Sequence, residues 1–151
     1  MASVTNFSAG APLQQAFRPI DPIEPIQIYS ISSKRLIGQN WQIDPSATVE
    51  EQLVATKLFQ IAKSVSEFFW TKLKLCGTDN LGKLPPFFID CKPGSTSFSF
   101  GLADHLEQFN FANPDALLPE VVAHEYVHAV VHSLNPLGAI GQAGAINESL
   151  A

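Results

Sequence analysis

"EVVAHEYVHAVVH", residues 120–132, sets His124, His128 and His132 at four-residue intervals inside an apolar run. Residues four apart on a helix lie about 40° apart around it and one turn apart along it, so neighbouring imidazoles can converge on one point. Valines fill half of the other positions, and from Leu117 to Leu134 the pattern predicts a long, mostly buried helix. Glu125 is the anomaly. A carboxylate among Val121, Val122, Val127, Val130 and Val131 is costly unless something pairs with it, and a divalent metal ion is a good partner.

The five residues from His124 to His128 form an HExxH arrangement. In zinc peptidases of this pattern two histidines on one helix face hold the metal, the metal acidifies a water, and the glutamate takes its proton. The competing explanation is a core helix with incidental histidines. His132 repeats the spacing but lies about 12 Å from His124 along the axis, too far to share one ion. Only His124 and His128 have a glutamate between them, so they are the predicted ligands, and His132 is a neighbour outside the ligand set. A third ligand decides the class. Metzincins need a His six residues after the second ligand, and that position is Leu134. A gluzincin takes a Glu from the next helix. Glu148, in "AGAINESLA" (residues 143–151), is the candidate, after a Gly-rich break that lets the chain fold back antiparallel.

Upstream, residues 1–25 carry prolines in "RPIDPIEPI" and read as an irregular arm, because each proline removes a donor and pushes its predecessor toward extended geometry. "IQIYSIS" (residues 26–32) alternates apolar and polar residues and predicts a strand. Thr48 and Glu51 form a capping box for a helix to about Leu75, with Leu53, Leu58, Ile61, Val65, Phe68 and Phe69 as its core face and Gly77 as its stop. "FFID" (87–90) and "STSFSFG" (95–101) predict two further strands. "ADHLEQFNFANPD" (103–115) reads as a loop, and a new helix is expected from Ala143.

At 151 residues the chain fits one domain or one lobe of a larger protein. A hydrophobic fraction of 46% excludes a mostly disordered chain. A net charge of −5 with scattered Lys and Arg gives no basic stripe for nucleic acid or an anionic membrane, and no apolar run is long enough to span a bilayer. The N-terminus shows no charged and apolar signal-peptide pattern, which favours a cytoplasmic start. Cys76 and Cys91 make neither a disulfide framework nor a CxxC motif.

These residues resemble the thermolysin-like neutral metalloproteases. "VVAHEYVHAVV" is similar to their zinc helix, and "GAINES" (144–149) to the stretch carrying their glutamate ligand, at matching spacing from His128. "IQIYSISSKRLIG", the helix from Thr48 to Trp70 and "TDNLGKLPP" resemble the start of their catalytic domain, and "STSFSFG" stands where they have a strand ending in Tyr-Gly-Asp-Gly. The resemblance covers roughly residues 26–151. It implies zinc held by His124, His128 and Glu148, Glu125 as general base, Asn147 as a partner of the ligands, and Glu120 at a calcium-ligand position. It implies an α+β fold: a zincin-like lobe with a small, mainly antiparallel sheet on a long helix, the zinc helix, and the start of a C-terminal helical lobe. The implied reaction is zinc-dependent hydrolysis of a peptide or protein substrate.

The departures set a limit. "IDCKPG" (89–94) replaces the family's substrate-binding Asn-Ala-aromatic segment, and "FGLA" (100–103) loses an acidic residue. Ala139 stands where the family has an oxyanion-stabilising Tyr. The chain stops one residue before an Asp that orients the first zinc histidine, and the family's following helical lobe would be its natural partner. The expectation is therefore weak or no turnover by this chain alone, the alternative being a non-catalytic zinc-binding module of the same fold.

Overall fold

The computed structural model describes residues 25–90, 98–103, 106–111, 117–134 and 141–151. Alternation sets the first strand: in β1 (Gln27–Ser30), Ile28 and Ser30 are buried while Gln27 and Tyr29 lie on the other face. β2 (Arg35–Gln39) returns antiparallel to it, and the two-residue β3 (Gln42–Ile43) extends the hairpin. Thr48 then caps α1 (Val49–Phe68). Its hydroxyl accepts from the Glu51 amide at 3.2 Å, and the Glu51 carboxylate accepts from the Thr48 amide at 2.9 Å, so the predicted capping box is present.

The core face of α1 is formed by Val54, Ala55, Leu58, Phe59, Ile61, Ala62 and Val65. Two residues assigned to it by pattern lie elsewhere, Leu53 at 67% exposure and Phe68 at 54%. The helix also ends differently from the expectation. A π-helical turn, Phe69–Leu73, follows it and closes at Lys74 in the left-handed region, φ 59°. Gly77 serves the next turn instead: its φ is +63°, and a Cβ there would sit 2.4 Å from the Lys83 carbonyl oxygen.

Three strands complete the sheet: β4 (Phe87–Ile89), β5 (Phe98–Ala103) and β6 (Leu106–Phe111). β6 corrects the loop assigned to residues 103–115. It pairs parallel with β4 and antiparallel with β5, so it lies inside the sheet and is the strand that precedes the histidine helix, while β5 is at the edge. The order is β3-β2-β1-β4-β6-β5, with three antiparallel and two parallel pairings. Ile28, Ile37, Phe87, Ile89, Phe109 and Phe111 are buried together with the inner faces of α1 and α2 (Pro119–Leu134). The fold is α+β. α3 (Gly141–Leu150) packs against α2, and no described helix is long and apolar enough to cross a membrane. Residues 1–24 of the arm and the break at 135–140, including Ala139, lie outside the described residues.

Candidate metal centre

The rotational setting of α2 follows from its buried residues. Val122, Glu125, Tyr126, Ala129 and Val130 recur at helical spacing and form the inner stripe. Tyr126 anchors it at 1% exposure. Its ring lies 4.6 Å from that of Phe69 and stacks on Phe109 at 6.3 Å with only 7° between planes. Burial pushes the Tyr126 phenol up to about 12, partly offset by the Ser66 hydroxyl beside it on α1. At about 100° per residue, His124 and His128 are each about 200° from Tyr126, on the far side of the helix. Fixing Tyr126 in the core therefore presents both histidines away from it, toward α3.

There the side chains converge. His124 Nε2 and His128 Nε2 are 3.1 Å apart, with the rings 4.6 Å between centroids and nearly perpendicular at 86°. Glu148 of α3 sends one oxygen to each: Oε2 is 3.8 Å from His124 Nε2, and Oε1 is 3.7 Å from His128 Nε2. One donor atom from each of the three residues lies within 4.8 Å of the others. Among the described residues no other group of three His, Cys, Asp or Glu side chains meets this condition.

Asn147 sets the tautomer of His128. Its Oδ1 is 3.1 Å from His128 Nδ1 and can only accept, so Nδ1 carries the proton and Nε2 presents its lone pair to the cluster. Glu125 is buried at 6% exposure, one residue from His124. His132 is outside the cluster, with its Nδ1 3.2 Å from Glu107 Oε1 on β6, and Glu107 also pairs with Lys83. Glu120 is exposed in the first turn of α2.

The donor set fits zinc. Two nitrogens each about 2.05 Å from a tetrahedral zinc ion lie about 3.3 Å apart, close to the separation of the two Nε2 atoms. Two imidazoles and one carboxylate are donors that zinc accepts, and they would fill three of its four tetrahedral positions. The His-to-Glu contacts are slightly wider than the N–N contact, and the Glu148 side chain is 69% exposed, so the helix bearing it has room to adjust.

No family model matches the chain, and no curated protein matches its sequence. Its structure is similar to that of the precursor of protealysin, a metalloproteinase from Serratia proteamaculans. The TM-score is 0.66 at 20% identity over 84% of this chain. The likeness shows the fold. The chain spans 40% of the length of that protein.

Proposed function

We propose that the chain carries the zinc centre of a metalloendopeptidase, with His124, His128 and Glu148 as ligands and Glu125 as general base. The observation that carries this is the convergence of those three donors within 4.8 Å, beside a buried glutamate in HExxH spacing. The metalloproteinase fold neighbour supports it. Zinc bound there would acidify a water molecule and polarise the scissile carbonyl. Glu125 takes a proton from the attacking water at its carboxylate and returns it to the leaving amine. Asn147 holds the His128 ring in the ligating tautomer through its 3.1 Å contact. The inner stripe of α2, anchored by Tyr126, holds the helix so that both Nε2 atoms meet at one point.

A second reading is a zinc-binding module of the same fold without turnover. Ala139 favours it, because a methyl side chain offers no hydrogen-bond donor to a developing oxyanion, and loss of one such donor costs on the order of a hundredfold or more in rate. Zinc titration combined with a peptidase assay separates the two. Uptake of zinc with chelator-sensitive cleavage that Glu125→Gln abolishes supports the enzyme. Uptake without cleavage supports the module.

A further inference from the structure

α3 is an unusual helix to find docked. Its sequence, "GQAGAINESL", contains two glycines, an asparagine and a serine, all poor helix formers, so its docking rests on packing. Its two large apolar side chains are largely outside that packing. Ile146 and Leu150 are 51% and 56% exposed. Gly144, Asn147, Glu148 and Ala151 recur at helical spacing. Gly144 is buried, Asn147 and Glu148 contact the histidines of α2, and Ala151 is half-buried. The α3 side chains that reach α2 through described contacts are those of Asn147 and Glu148, and both are polar.

Among the described residues the polar contacts between α3 and α2 are few. Asn147 gives one hydrogen bond to His128, and Glu148 approaches its two histidines only to 3.7 and 3.8 Å from a side chain that is 69% exposed. An exposed carboxylate near imidazoles contributes little. The same carboxylate bridged to both histidines by a divalent cation is held by coordination, which supplies binding free energy that becomes folding free energy of the segment bearing the ligand.

We propose, resting on the zinc site above, that α3 is a metal-dependent clasp. The His124–His128 pair on rigid α2 receives the ion first, and α3 docks only when Glu148 completes the set. The site is then assembled by its metal, and zinc supply controls whether the third ligand is in place. Asn147 gives the docked state a direct hydrogen bond to His128 of α2.

Hydrogen exchange read by mass spectrometry on the full chain, stripped with a chelator and then titrated with zinc chloride, tests this. Zinc uptake is followed separately by native mass spectrometry. In the stripped chain the amides of residues 141–150 exchange near the unprotected rate while those of α1 stay protected, and saturating zinc slows residues 141–150 by more than about tenfold. Glu148→Gln, an exposed and conservative change, still takes zinc on the histidine pair, more weakly, but gains no protection in α3. Equal protection of α3 in the stripped and loaded chain overturns the clasp while leaving the zinc site standing, as does full protection of zinc-loaded Glu148→Gln. Failure of the chain to take up zinc removes the metal site itself and the clasp with it.

Discussion

In the proposed mechanism Glu125, as the base, and Asn147, as the partner of His128, divide the work at the scale of single residues. Glu125 lies in the buried stripe of α2 at a position otherwise taken by apolar or aromatic side chains. Glu125→Gln preserves its shape and removes the base. Peptide cleavage is expected to fall by about a hundredfold or more with zinc content unchanged, measured by turnover and metal analysis on the same sample. Asn147→Ala removes the acceptor at His128 Nδ1. Zinc affinity should drop by about 10- to 100-fold, read by competition against a chelating dye, with little change in the melting temperature of the stripped chain. Glu125 was singled out from the HExxH spacing and Asn147 from the family resemblance. HExxH spacing reports that two imidazoles share a helix face, and that face survives in any fold that keeps the helix. The surroundings of His132 were not legible, because Glu107 comes from β6, distant in sequence and missed as a strand.

Individual elements are set by buried contacts. Glu51 caps α1 and also accepts from the Ser33 hydroxyl at 2.9 Å, with Arg35 Nη2 at 3.8 Å, so one carboxylate fastens the first helix to the β1–β2 hairpin. The Ser30 hydroxyl, ahead of the other hydrogen bonds, holds its pKa down from 4.5 to about 2. The ionised form is therefore favoured by folding. Its contribution is complete above about pH 4.5 and is lost as pH falls to about 2. Glu51→Gln should cost about 2 kcal/mol at neutral pH, and the gap from the parent chain should close through that acidic window, as read by urea denaturation at stepped pH. Tyr126→Ala should cost about 3–5 kcal/mol and weaken zinc binding as well, since the ring that fixes the rotation of α2 is gone. The capping box was readable because it is local. β6 was not: Phe109 and Phe111 alternate correctly, but polar Glu107, Gln108 and Asn110 around them gave the segment a loop-like composition. Its place inside the sheet comes from pairing with β4 and β5. The end of α1 was missed because a lysine, Lys74, takes the left-handed stop that glycine usually occupies.

For the whole molecule, one sheet face and two helices form the core, and the third helix brings the last donor to the surface of the second. The α+β class followed from the family resemblance and agrees with the alternating strands and the two helical patterns. The mixed character of the sheet did not, because both parallel pairings join strands far apart in sequence. The histidine pair is built on a helix packed into the core, whereas Glu148 reaches it from α3 with a largely exposed side chain. The account depends on these three residues forming a metal site. Zinc titration of the purified, chelator-stripped chain by calorimetry tests that most directly. One zinc ion per chain is predicted, with binding abolished in the double variant His124→Ala/His128→Ala and weakened in Glu148→Gln. No uptake by the parent chain, or uptake undiminished in the double variant, would contradict it.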